Sequence, residues 1–311
     1  MIKLFKNRYG LLRSGWIVLI SIFLYYFLIY VTGDLCVYLL STILMMTGNL
    51  NDTTGYVSPL AETLYHALPL ALQILMEIVT ILLSLGIWKI LKYQLKDLGL
   101  RDFKTGFKKD GVIGLLLGFG MCTLIFMILL LTDSVRIDSV NLTLSPSWIG
   151  LIPTVLLVGF AEELFCRGLL MSVLRRSQNK YLIMLLPSVI FGAIHIISPN
   201  VTAMSLINII LIGFVLSYMY YRSGSLWMCI GFHITWNLFQ SIIYGMPVSG
   251  LNFNSLMTTH YPTANLLNGG AFGIEGGILT TAANVLLLVF LFFYYRTSTF
   301  RFLEDPHIGT P

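Results

Sequence analysis

Eight apolar runs, each close to or above the ~20 residues a helix needs to cross a bilayer, restrict this chain more than any other feature. They fall near residues 15–46, 66–91, 111–132, 148–174, 181–198, 202–221, 225–245 and 279–296. Inside lipid every backbone N–H and C=O must be paired within the protein, so long runs of this kind predict helices. The chain is 57% hydrophobic and only 11% charged, which excludes an ordinary soluble domain. The expected fold class is an all-α polytopic membrane protein of about eight transmembrane helices, a single membrane domain over residues 1–311.

The basic residues alternate with the runs. Lys3, Lys6, Arg8 and Arg13 precede the first, and Lys89, Lys92, Lys96, Arg101, Lys104, Lys108 and Lys109 separate the second from the third. Arg175, Arg176 and Lys180 follow the fourth, Arg222 the sixth, and Arg296 with Arg301 the eighth. Of the 19 basic residues only Arg136, alone on the opposite side, and Arg167, inside a run, break the alternation. Short cytoplasmic loops collect positive charge, so both termini are expected in the cytoplasm. The formal charge of +5 is then a signal of topology, and no nucleic-acid partner is expected. The basic N-terminus followed by an apolar run exceeds a secretory signal and reads as an uncleaved first helix. Cys36, Cys122, Cys166 and Cys229 all lie in apolar runs without a Cys-x-x-Cys pair, which predicts packing rather than disulfides or a thiolate metal site.

Within the fourth run, Val158-Gly-Phe-Ala-Glu-Glu-Leu-Phe-Cys-Arg-Gly places Glu162, Glu163 and Arg167 at membrane depth. A charge near the bilayer centre costs at least roughly 2.5–3.5 kcal/mol, so it faces a partner or a wet cavity. Glu163 and Arg167 are four apart and can pair on one helical face. Glu162 lies about 100° away around the helix, free for another task.

Further polar residues interrupt later runs: His195 in Phe191-Gly-Ala-Ile-His195, and His233 with Asn237 in Gly231-Phe-His-Ile-Thr-Trp-Asn237. Counted from the nearest basic loop at ~1.5 Å per residue, Glu162, His195, His233 and Asn237 lie ~20, ~22, ~16 and ~22 Å deep. They share one layer. Either histidine alone reads as a helix–helix hydrogen-bonding residue, but the set together points to activation of water. A Glu in a low-dielectric pocket suits a general base, a neighbouring His can orient the same water, and a second His with an Asn can donate to an oxyanion. Peptide hydrolysis follows. The same side chains include zinc-ligand types, so a divalent metal such as zinc stands as the alternative to a cofactor-free mechanism, although the His-Glu-x-x-His spacing is absent. No Gly-x-Ser-x-Gly supports a serine nucleophile.

Glu-Glu-x-x-x-Arg at 162–167, Phe-x-x-x-His at 191–195 and His-x-x-x-Asn at 233–237, in this order on membrane helices, resemble the CAAX prenyl endopeptidase and bacteriocin-processing (CPBP, or Abi) family of intramembrane proteases. The resemblance runs from about Trp148 to Tyr244, so 148–244 is the expected catalytic core. It implies that Glu162 is the catalytic glutamate working with His195 on the attacking water, that His233 and Asn237 stabilise the oxyanion, and that Glu163 and Arg167 form a supporting pair. All motif positions are intact. The family's biology ranges from removal of a C-terminal tripeptide to peptide maturation and bacteriocin immunity. The expected substrate is a membrane-associated peptide or protein, and the expected location a bacterial plasma membrane.

Two rivals come from other classes. One is a non-catalytic membrane scaffold or immunity protein whose polar cluster merely holds helices together; the other is a proton-coupled transporter, for which inverted repeats and broken helices are not evident. Outside the cluster, Glu77 is expected to be protonated and hydrogen-bonded, His66 and Glu62 to sit among headgroups, and Gly114 and Gly118 to permit close helix contact. The outer segment Gly245–Gly277, without Lys or Arg, is expected to be a lid or disordered; its glycines lack the Gly-Lys-Ser/Thr of a phosphate loop.

Overall fold

The computed structural model describes residues 5–6, 12–51, 53–101, 109–143 and 148–304. Lys3, Arg8, Lys104 and Lys108, which the reading above assigns to loops, lie outside the described residues. Helices α1 (Ser14–Met46), α2 (Pro59–Ile90), α3 (Val112–Leu131) and α4 (Trp148–Glu163) come first. They are followed by α5 (Lys180–Ile194), α6 (Ala203–Ser223), α7 (Trp227–Asn237) and α8 (Ile278–Tyr294). Among the described residues six helical stretches are long and apolar enough to cross a membrane, and α8 is a shorter apolar helix. The chain is an all-α polytopic integral membrane protein.

Local chemistry sets the helix boundaries. Ser58 accepts from the Ala61 N–H ahead of Pro59, which needs no amide partner in the first turn. Thr202 and Ser205 cap the start of α6 reciprocally, and Gly224 ends it at φ 64°. Two helices change pitch rather than stop: α4 continues as a π turn over Leu164–Met171 and then as Ser172–Leu174, while α7 continues as a π turn over Leu238–Ile243. Such turns widen a helix locally and recur at functional sites.

Lipid is as apolar as leucine, so burial of apolar surface does little to hold the bundle together; close packing and hydrogen bonds between helices do it. Leu19, Phe23, Tyr38, Leu131 and Phe293 accordingly face outward, each more than half exposed. Along the seam between α3 and α7, a Cβ on Gly114 would stand 2.2 Å from the Met228 carbonyl oxygen, and one on Gly118 2.3 Å from that of Phe232. The two backbones touch there, and Thr235 Oγ1 donates across to the Leu115 carbonyl at 2.9 Å. On the opposite flank of α7, a Cβ on Gly159 of α4 would meet Ile234 Cγ1 at 2.6 Å. Thus α7 is clamped between α3 and α4, which fixes how far His233 stands from the acids of α4.

The segment after α7 is ordered. Strand β4 (Met257–His260) pairs antiparallel with β3 (Arg136–Val140), while β1 (Leu50–Asn51) and β2 (Tyr56–Val57) form a small hairpin between α1 and α2. These short strands lie in connections, as does the bend that brings the segment back over the bundle: Gly250 N–H donates to the Phe272 carbonyl at 3.0 Å, and Asn208 Nδ2 on α6 donates to the Glu275 carbonyl at 2.8 Å. Of the two expectations for Gly245–Gly277, disorder is overturned, because these bonds tie it to α6. At the basic ends of the helices Arg175 lies over the Phe302 ring at 3.9 Å, and Arg222 donates to the Tyr295 carbonyl. The described cysteines are all free, with Cys122, Cys166 and Cys229 buried.

Candidate active site

The acids of α4 diverge as their angular separation requires. Glu163 is fully buried and accepts from Arg167 Nη1 at 2.9 Å; Arg167 Nη2 donates to the Gly213 carbonyl at 3.1 Å, and its guanidinium lies 4.5 Å over the Phe191 ring. Glu162 keeps 21% of its side chain exposed and turns into a cavity of about 640 Å³. The expected Glu163–Arg167 pair is present, with an added partner: His233 Nδ1 bonds to the same Glu163 Oε1 at 2.9 Å.

A carboxylate oxygen only accepts, so His233 Nδ1 donates and its Nε2 points the other way, 3.8 Å from Glu162 Oε2. That distance exceeds a hydrogen bond and leaves the pair able to share a third group. The sequence treats His233 as an oxyanion donor alone; the structure also makes it the link between the paired acid and the free one. His195 caps the end of α5, where Nδ1 meets the Phe191 carbonyl at 2.8 Å. A carbonyl likewise only accepts, so in the neutral ring the lone pair is on Nε2.

Glu162, His195, His233 and Asn237 all line the one cavity. Asn237 is 8% exposed; its backbone carbonyl accepts from Ser241, while its side-chain amide donates to none of the described residues. The remaining wall is largely apolar and includes Phe191, Phe232 and Trp236. Glu162 and His195 also border a second, very small cavity together with Tyr25 of α1.

Some polar groups at the cavity escaped the sequence. Glu275, in the turn before α8, lines it, and its Oε2 accepts from the Ser249 N–H at 2.7 Å and from the Ser249 hydroxyl at 3.1 Å. Burial pushes its carboxyl above the ordinary range, opposed by those hydrogen bonds from Ser249 and by a bond from Trp236. The available signal was an acid in a glycine-rich stretch without a basic residue. Glu77 is buried within electrostatic reach of Glu162 and accepts from Gln73, a partner at four-residue spacing that itself lines the cavity. His66 and Glu62 are exposed, as expected, 3.9 Å apart; His66 also borders the cavity.

Residues 144–239 match the family model described as Rce1-like, type II CAAX prenyl endopeptidase. This stretch of the chain is similar to an Rce1-like domain. It contains every residue of the three motifs, whereas Glu275, α1, α2, α3 and α8 lie outside it. The Rce1-like family is one of proteases, and the match supports a CAAX-type intramembrane protease fold for this region. No curated protein and no solved structure matches the chain.

A catalytic zinc takes three protein ligands; among the described residues no three His, Cys, Asp or Glu side chains gather into a group that could hold a metal ion, although Glu162, His195 and His233 line one cavity. Glu163 Oε1 already bonds Arg167 and His233. No step below passes through a metal.

Proposed function

We propose that this protein is an intramembrane endopeptidase that hydrolyses a peptide bond of a membrane-associated protein or peptide with water activated by Glu162 and His195. The observation that carries the reading is the asymmetry of two adjacent acids: Glu163 is held by Arg167 and His233, while Glu162 faces the cavity 3.8 Å from the far nitrogen of the same histidine. A helix-stapling cluster would have no reason to leave one costly carboxylate unpaired beside a cavity.

In this mechanism Glu162 takes a proton from water as the oxygen adds to the scissile carbonyl carbon, and the Nε2 lone pair of His195 orients that water. The carbonyl oxygen gains the charge and receives hydrogen bonds from the Asn237 amide and from His233 Nε2, which carries a proton in the imidazolium form. Collapse of the intermediate breaks the C–N bond, and the proton on Glu162 passes to the leaving amine. Glu163 and Arg167 touch no reacting atom and act as positioning residues through His233.

The test compares membrane peptidomes of cells holding the unaltered protein, Glu162→Gln and His195→Ala at equal levels. Peptide termini present only with the unaltered protein support the reading and identify the substrate. Identical peptidomes in all cases, with cleavage by the unaltered protein shown, refute it.

A further inference from the structure

Helix α4 is gripped on two sides. A Cβ on Gly150 would stand 2.6 Å from Leu70 Cδ2 of α2, and one on Gly159 would stand 2.6 Å from Ile234 Cγ1 of α7. The nine residues between these glycines turn the helix through about 900°, a net half turn, so α2 and α7 flank α4 on opposite sides. Glu162, twelve residues beyond Gly150, emerges about 120° around from it, between the two flanks. The α7 flank carries hydrogen-bond donors, His233 Nε2 in the imidazolium form and the Asn237 amide. The α2 flank carries Gln73.

Gln73 and Glu77 are four apart and share one face of α2. Gln73 lines the cavity with Glu162, and the buried Glu77 lies within electrostatic reach of Glu162. Counted from Lys89 at ~1.5 Å per residue, Gln73 stands ~24 Å deep, level with His195 and Asn237. Its Nε2 donates to Glu77 Oε1, which fixes the amide by its protons and leaves the carbonyl oxygen as the acceptor that this side chain can present to the cavity.

A peptide bond laid across Glu162 for attack bares both its carbonyl and its N–H, and in a trans peptide the two point in opposite directions. With the carbonyl oxygen among the donors of α7, the N–H points toward α2. Leu70, Leu151, Val155 and Val158 fill much of that flank, and an N–H left unpaired against them is costly. Glu162 and His195 are committed to the attacking water.

We infer that Gln73 is a substrate-binding residue whose side-chain carbonyl oxygen, steadied by Glu77, accepts the N–H of the scissile peptide. This rests on the endopeptidase reading and deepens it, because Gln73 and Glu77 lie outside the stretch similar to the Rce1-like model and complete the hold on both ends of the peptide unit. Glu77 touches no substrate atom and acts as a positioning residue through Gln73. A bond before proline, or an ester, lacks the N–H and forfeits the contact.

The test uses a peptide spanning a cleavage site found in the peptidome comparison, made with its native amide and with an ester in place of the scissile linkage. Binding is measured to full-length Glu162→Gln protein in nanodiscs, where turnover is blocked. Adding Gln73→Met strands the N–H, so the amide peptide should bind about three- to tenfold more weakly. The ester peptide should change by less than about twofold, which also shows that the variant is folded. Glu77→Leu should reproduce this selective loss, and Glu77→Gln, whose amide oxygen still accepts from Gln73 Nε2, should restore most of the discrimination. A loss shared equally by both peptides, as a packing role would give, overturns the inference. So does a loss for neither peptide, and so does a Glu77→Leu protein that keeps the discrimination. Absence of any cleavage site refutes the endopeptidase reading and this inference with it, whereas a site that Gln73→Met protein cleaves at the unaltered rate counts against this inference alone.

Discussion

Replacing Glu163 by Gln, and Arg167 by Met, singly and together, distinguishes a buried ion pair from a chance proximity. The two side chains are fully buried and bonded at 2.9 Å, and Glu163 Oε1 holds His233 at the same distance. Removing one partner strands the other charge away from water, at a cost of about 3–5 kcal/mol. At about 2–4 °C per kcal/mol, either single variant should melt roughly 10 °C below the unaltered protein. Removing both charges strands neither, so the double variant should recover to within about 1–2 kcal/mol. Thermal melts of the purified proteins in one detergent give the comparison. Single variants melting within 1–2 °C of the unaltered protein, or a double variant as unstable as the two singles added, would refute the reasoning. Activity gives a second reading: the double variant loses the anchor of His233, so it should stay slow although stable.

Other outcomes follow from the same geometry. Gly118→Leu on α3 must displace the Phe232 carbonyl of α7, so it should lower both the melting temperature and activity, whereas Gly120→Leu, with open space around it, should do neither. Glu275 is raised by burial, so the stability it contributes is present below the carboxyl's unfolded pKa and is lost as pH rises through the higher folded value; Glu275→Gln should flatten the pH dependence of the melt over that window. Chelation of divalent ions should leave cleavage intact; abolition restored by zinc would require a ligand set that the described residues do not form.

The helical plan was legible because lipid leaves the backbone few options: the run read at 148–174 appears as α4 and its continuation, and that at 15–46 as α1 from Ser14. The pairing of Glu163 with Arg167 was legible from spacing. What His233 bonds to was not, since it depends on how closely α7 approaches α4 at Gly159 and Ile234, a long-range contact without a local signature. The pitch changes after Glu163 and Asn237 carry no residue pattern of their own. Gly114 and Gly118 show the converse: their spacing is common enough to be given no functional weight, yet they let α3 press α7 into place beside the acids. Glu275 was missed because its place at the cavity comes from a return of the chain over the bundle, fixed by Ser249 and Asn208 at long range.

The account turns on Glu162, and the decisive measurement is the cleavage rate of an identified substrate by purified unaltered protein and by Glu162→Gln, with matched melting curves. Glu162 is 3.8 Å from His233 Nε2, beyond hydrogen-bond range, so the amide should leave stability within about 0.5 kcal/mol. Loss of a general base predicts a rate lower by about 10²–10⁴-fold. Equal rates for the two proteins at equal stability would contradict the account.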